Sequence, residues 1–280
     1  MARKRRLSAA FQGELGAFSQ AAAEKLLGEQ IKMLPCDTFK HVFEELRSNA
    51  VTHAVVPIEN TLHGSVHENY DHLLEYEVPI CGETSIRISH HLIALPEVRF
   101  PDIRRVFSHP VAINQCRKFF DKHRRIEPVP FYDTAGSVKM LREKRPPGAA
   151  AIASESAAAI YGGRILRRNI EDDRQNFTRF FLLTKQKDIF ASAASPWKTS
   201  LVFSMRNIPG ALFKAMACFA LRDLNLTKIE SRPLRGKPWE YLFYLDLLGR
   251  DTDPAVRNAL ENLQEITEFV RVLGSYRPTP

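Results

Sequence analysis

Short apolar runs alternate with stretches of helical spacing from residue 7 to about residue 185. Residues 7–12, 31–35, 53–58, 104–107, 126–131 and 149–153 read as strands, and 19–27, 38–49, 111–123 and 137–144 as helices. Alternation of this kind predicts α/β layers with largely parallel sheets. A long apolar stretch at 78–95, interrupted by Arg87, His90 and His91, suits a strand passing between two lobes. Residues 176–184 bring the chain back. Two passages imply a bilobal unit with a cleft.

Both periodicities fail at 186–196 (QKDIFASAASP), where small residues and a proline gather. The expectation is a first domain over 7–185, a linker over 186–197 and a second domain over 198–280. The second domain reads strand (200–205), helix (211–224), strand (227–232), strand (241–247), helix (254–264) and strand (268–272). That is the ferredoxin-like βαββαβ order.

A length of 280 residues supports the same count, allowing about two domains with a core each. No apolar run approaches the roughly 18 residues of a membrane span, so no membrane partner is expected. Half of the net charge of +8 sits in Arg3, Lys4, Arg5 and Arg6. Elsewhere basic residues mix with acidic ones, as where Arg167 and Arg168 precede Glu171, Asp172 and Asp173. Without a basic face carrying interleaved aromatics, no nucleic-acid partner is expected. No apolar segment follows the basic tail as in a secretion signal, and no transit-like segment precedes residue 7. Cys36, Cys81, Cys116 and Cys218 stand far apart without paired spacing, which fits a reducing compartment. A cytoplasmic protein is expected.

Candidate chemistry starts in the last apolar run of the first domain, where Asn176, Phe177, Thr178, Arg179 and Phe180 lead into Phe181, Leu182 and Leu183. Burying a hydroxyl and a guanidinium in such a strand costs several kcal/mol unless both find partners. The pair is either a structural Thr beside a salt-bridged Arg, or part of a site. Strand alternation points the two to opposite faces. Five strand-to-helix turns, at 13–19, 60–65, 108–110, 134–137 and 154–156, supply hydroxyls, small residues or glycine where helices begin. Each alone reads as an N-cap. Gathered at the carboxyl ends of strands, they make a pocket for anions.

The run from Val55 to Val66 (VVPIENTLHGSV), the segment Ser108-His109-Pro110 with Gln115 and Cys116, and Thr178-Arg179-Phe180 follow in one order and spacing. Together they resemble the prephenate dehydratase family, which includes the arogenate dehydratases. Gly210-Ala211-Leu212 and Glu230-Ser231-Arg232-Pro233 resemble the ACT regulatory domain attached to those enzymes. The resemblance implies a periplasmic-binding-protein-like bilobal catalytic domain followed by a ferredoxin-like ACT domain. It implies a carbon–oxygen lyase that converts prephenate to phenylpyruvate in phenylalanine biosynthesis, with no metal or organic cofactor. Arogenate, giving phenylalanine directly, is the alternative substrate, because the segment with His67, Asn69, Tyr70, Asp71, Leu73 and Leu74 looks like the plant-type arogenate enzymes. Arogenate has an ammonium where prephenate has a keto group, so a partner carboxylate would separate them; the sequence does not place one. A non-catalytic binding module is the reading from another class, and the intact Thr178-Arg179-Phe180 argues against it.

By match to the family, Thr178 is the donor to the leaving hydroxyl, and Asn60, Ser108 and Gln115 are further catalytic positions. Gln115 lies about two helical turns past Ser108, so both are expected in one cleft. Ser19, Thr134, Ala135, Gly136, Arg179 and Phe180 are expected at the substrate, with Arg179 as a structural or carboxylate-pairing residue. In the second domain Asn207, Pro209, Gly210, Ala211, Leu212, Glu230, Ser231, Arg232 and Pro233 are expected to hold L-phenylalanine at a subunit interface. That implies a homodimer or homotetramer. His63 and His67 have i,i+4 spacing without a third ligand, so no metal site is expected. Gly13-Glu14-Leu15-Gly16 lacks the third glycine of a dinucleotide loop. Glu59 reads as structural, and His90 matches a family position but reads equally as a core histidine.

Overall fold

The computed structural model describes residues 7–185, 196–234 and 240–278. The basic tail at 3–6 and the expected linker at 186–195 lie outside the described residues. The chain forms two compact units, Met1–His72 with Thr84–Leu182, and Leu73–Glu83 with Leu183–Pro280. No helix among the described residues is long and apolar enough to cross a membrane.

Two sheets build the first unit. The 6-stranded sheet runs in the order Lys32–Cys36, Ser8–Gln12, His53–Asn60, Phe177–Leu183, Ile80–Arg87, with Gly64–Ser65 paired to His53–Asn60. The 5-stranded sheet runs Arg164–Arg167, His91–Ala94, Ala149–Ala153, Arg105–Ser108, Glu127–Pro130. Ser8–Gln12 and Arg105–Ser108 are each parallel to both neighbours, as the alternation predicts. His91–Ala94 is antiparallel to both of its neighbours, because there the chain enters and leaves the second sheet. Ala149–Ala153 is buried throughout, its small side chains letting the layers close over it. Pro35, Pro128 and Pro130 sit in the edge strands Lys32–Cys36 and Glu127–Pro130, where a missing N–H is tolerated.

The long apolar stretch is two strands rather than one, Ile80–Arg87 in the first sheet and His91–Ala94 in the second. The return lies at 168–176, ahead of Phe177–Leu183. Buried Glu171 ties these passages together. It accepts from Arg87 Nη2 and from His90 N, both at 2.9 Å.

The expected helix at 111–123 is broken into Pro110–Asn114 and Arg117–Lys122. Asp172 causes the restart: its carboxylate accepts from Arg117 N and Lys118 N, both at 3.0 Å. Its own N donates to Gln115 O at 2.7 Å. A carboxylate at a helix start satisfies open N–H groups and the positive dipole end. The helices His67–Tyr76 and Glu155–Tyr161 follow the turns at 60–65 and 154–156 where helix starts were expected.

The second unit carries an antiparallel 4-stranded sheet in the order Leu226–Pro233, Tyr241–Leu248, Lys198–Met205, Phe269–Tyr276. With helices Ala211–Ala220 and Pro254–Ile266 it has the predicted βαββαβ order. Leu201, Phe203, Phe219, Leu245, Leu247 and Leu263 pack its core. The unit also takes in Leu73–Glu83: Arg271 Nη1 donates to Leu74 O at 3.0 Å, and Nη2 pairs with Glu77 at 2.7 Å. The Arg250 guanidinium lies 4.4 Å from the Trp197 ring centroid. All 9 histidines of the sequence fall in the first unit.

Candidate active site

The strand His53–Asn60 is apolar and buried until its carboxyl end, where Glu59 and Asn60 emerge. Asn60 there lines a cavity of about 290 Å³, together with Ser19, His63, His90, His109, Gln115, Thr134, Thr178 and Phe180. Polar groups at the carboxyl ends of strands meeting in a crevice are the general pattern of α/β sites. Thr178 and Phe180 share the cavity face of Phe177–Leu183, and the residue between them does not.

Asn60 sets the state of Thr178. Its Oδ1 accepts from Leu62 N and His63 N, both at 3.0 Å, which fixes the amide orientation. Its Nδ2 therefore faces the strand, donating to Asn176 Oδ1 at 2.8 Å and Thr178 Oγ1 at 2.9 Å, with Phe177 O at 3.1 Å. Thr178 Oγ1 is thus an acceptor, and its own proton is left for a group in the cavity. An amide donating to the hydroxyl oxygen also strengthens that hydroxyl as a donor.

A second string of polar groups runs through Gln115. Its Oε1 accepts from His90 Nε2 at 2.8 Å, and its Nε2 donates to His63 Nδ1 at 3.1 Å. Burial lowers the pKa of His90, although the Gln115 hydrogen bond opposes this. A neutral His90 with its proton on Nε2 follows, and its Nδ1 is buried without a partner. Burial also lowers the pKa of His109, against the pull of Asp133. His109 Nδ1 accepts from Val111 N at 3.2 Å, so the proton of the neutral ring is on Nε2. The cavity is walled by neutral donors and acceptors.

A neighbouring cavity of about 540 Å³ shares Phe18, Ser19, Val66, His109, Val111 and Thr134 with the first, and adds Asp37, Glu68, Tyr132 and Asp133. Helix Phe18–Leu27 opens on this wall at Ala17 with no side-chain cap, so its first N–H groups suit an anion. Thr134 begins the helix Thr134–Lys144.

Several expected site residues lie elsewhere. Ser108 is fully buried and its Oγ donates to Ile152 O at 2.6 Å, so the hydroxyl is spent inside the sheet. Ala135 packs in the apolar core, and Gly136 N donates to the capping Asp133 while the Tyr132 ring covers its Cα. Arg179 faces Glu59 at 3.8 Å and the Phe181 ring at 4.9 Å, the salt-bridged arrangement among the readings of that pair. His63, His109 and Asp133 line the cavities without having been singled out for this site. For His63 the only sequence signal is a histidine inside the run shared with Asn60.

In the second unit a cavity of about 340 Å³ is lined by Asn207, Gly210, Ala211, Leu212 and Ser231, with Met205, Phe213, Tyr241 and Phe243 among the rest of its wall. Pro209, Glu230, Arg232 and Pro233 do not line it; Glu230 pairs with Lys228 at 3.0 Å. Gly210 starts helix Ala211–Ala220 at φ +77°, a conformation natural to glycine, with no side-chain cap.

A two-sheet α/β unit whose cleft gathers neutral donors, followed by a βαββαβ unit with a cavity of its own, defines a cleft enzyme carrying a separate ligand-binding domain. The prephenate dehydratase family profile matches residues 9–188, and the ACT domain profile matches residues 199–265. The chain belongs to the prephenate dehydratase family, a family of hydro-lyases. It is similar to arogenate dehydratase/prephenate dehydratase 2, chloroplastic, of Arabidopsis thaliana, 44% identical over 97% of this chain and 73% of the relative. It is also similar to the crystal structure of a prephenate dehydratase from Arthrobacter aurescens in complex with L-Phe. That match is 34% identical, with TM-score 0.88, and covers 96% of this chain and 89% of the other. A structure described as GqqA, a novel type of quorum quenching acylase, matches at 34% identity and TM-score 0.89, over 98% of each chain.

Proposed function

We propose that this chain catalyses the decarboxylative dehydration of prephenate to phenylpyruvate, and that L-phenylalanine binds its second unit and lowers the rate. The electron pair of the bond to the departing CO2 enters the ring, the double bonds shift, and the C4–O bond breaks with its pair on oxygen. That oxygen takes a proton and leaves as water, and the ring becomes aromatic. The protein's task is to hold the carboxylates and to stabilise the charge arriving on the leaving oxygen. Thr178 is the donor to that oxygen. Asn60 orients and polarises it, Gln115 supplies a further neutral amide, and the helix starts at Ser19 and Thr134 take the carboxylates.

One observation carries this reading: the Asn60 amide, held by two backbone N–H groups, leaves the Thr178 proton free for the cavity. Acyl transfer would instead need a nucleophile beside a base, and Thr178 has an amide donor on its oxygen. Arogenate is the second reading, favoured by the Arabidopsis relative whose name carries both activities. Assay of the purified protein with each substrate tests the reaction, and inactivity on both would end this reading.

For the second unit, the Arthrobacter relative's complex with L-Phe and the uncapped start at Gly210 support the effector role. Phe213 at 76% exposure and Ile208 at 55% leave apolar surface beside that cavity, which supports a homodimer or homotetramer. Sedimentation would show a monomer if this is wrong. Four free cysteines support a reducing, cytoplasmic location.

A further inference from the structure

The proposed reaction leaves one charged group of the cavity wall without a task. Asp133 precedes helix Thr134–Lys144, is 9% exposed, and lines the larger cavity beside Thr134, which lines both. Its Oδ1 accepts from Gly136 N at 2.6 Å. Its Oδ2 has room because residue 13 is glycine, where a Cβ would come within 2.9 Å.

Counter-charge is missing. Among the described residues no cation pairs with Asp133. Lys139 Nζ is held by both Glu14 oxygens, at 2.9 and 3.0 Å, and Tyr132 OH also donates to Glu14 at 2.9 Å. His109 is kept neutral by burial. Burial pushes the Asp133 carboxyl up and the Glu14 carboxylate adds to it, while the N–H groups of Gly136 and Glu14 and the nearby His109 pull the other way. The other acids of this wall differ: Asp37 and Glu68 are exposed, and Glu68 lies 3.5 Å from His72. Capping does not explain the charge, because asparagine caps a helix as well as aspartate. A mostly buried anion without a cation is costly, and beside a site for a dianion it is repulsive as well. A substrate bearing an α-ammonium next to its side-chain carboxylate removes both penalties, with the carboxylate at the open helix start of Phe18–Leu27.

We propose that Asp133 is the specificity-determining residue of this site, taking the α-ammonium of arogenate and favouring it over prephenate. The inference rests on the dehydratase reading above and, of its two substrates, makes arogenate the preferred one in place of prephenate. The test is kcat/KM for both substrates in the wild type, Asp133→Asn and Asp133→Ser, both of which keep a capping side chain. The wild type turns over arogenate with the higher kcat/KM, and in each variant the arogenate-to-prephenate ratio falls at least tenfold, chiefly through the arogenate KM. A ratio unchanged in a folded variant overturns the assignment. So does a wild type with equal or higher kcat/KM for prephenate, which needs no variant to be measured. A wild type inert on both substrates sinks the dehydratase reading itself, and this inference with it.

Discussion

The cavity at Thr178 and the cavity at Gly210 have similar volumes, about 290 and 340 Å³, and opposite walls. At Thr178 most of the polar side chains are buried, and Asn60, Gln115 and His90 are held by hydrogen bonds before any ligand arrives. At Gly210 the start of the helix is uncapped, and the wall is finished by exposed Leu212 and Phe213. Stabilising a transition state demands donors fixed in advance, since their reorganisation would be charged against the rate. A regulatory site has only to bind one arrangement of the protein better than another. It can leave part of its wall for the ligand or a second subunit to complete.

The sharpest way to break the contrast is Thr178→Ala. It should lower kcat about a hundred- to a thousandfold, with folding and KM little changed, because the lost donor acts mainly in the transition state. Calorimetry of the same variant should show L-phenylalanine binding as in the wild type. Wild-type turnover in Thr178→Ala would end the role given to the hydroxyl. Thr178→Ser should keep part of the rate.

Acid should separate the units next. Burial lowers the His53 pKa from 6.5 to about 4, so between those values the unfolded chain binds a proton that the folded one refuses. Stability is therefore full above pH 6.5 and falls as the pH drops towards 4, by about 3 kcal/mol from this group. The second unit has no histidine to titrate in that window. Urea unfolding at pH 7 and pH 4.5 reads the difference, and a first unit equally stable at both would contradict it.

Gly210→Val should weaken L-phenylalanine at least tenfold, because a β-branched residue resists φ +77° and the helix start would move. Unchanged affinity in a calorimeter would remove Gly210 from the effector site. The smallest effect is expected from Asp172→Ala, about 1 kcal/mol from the lost cap on Arg117–Lys122. The backbone bond from Asp172 N to Gln115 O survives this substitution, so kcat should change little; a loss of kcat with no loss of stability would mean that the break serves the cavity alone.

Much of the first unit's layout was legible because it rests on local pattern. Ala149–Ala153 could be read from four alanines and an isoleucine in an unbroken apolar run, and the βαββαβ order from alternating periods. Thr178 was legible because a polar residue in an apolar strand needs a reason to be there, and Asn60 because its run resembles a family segment. What escaped depends on partners distant in sequence. The restart at Arg117 is caused by Asp172, 55 residues away. Ser108 looked available until the Ile152 carbonyl, 44 residues on, was placed against it. Asp133 drew no reading from the sequence, since only the folded cavity brings its carboxylate to the wall.

The uneven placement of two residue types has a practical consequence. Trp197 belongs to the second unit and all 9 histidines to the first; the other tryptophan of the sequence, Trp239, lies outside the described residues. The emission of Trp197 therefore watches the second unit, where the Arg250 guanidinium over its ring makes that emission sensitive to local rearrangement. Imidazole resonances in a histidine-labelled sample watch the catalytic half. Effector and substrate can be titrated into one unmodified sample, and the order in which the halves respond can be timed without attaching a dye.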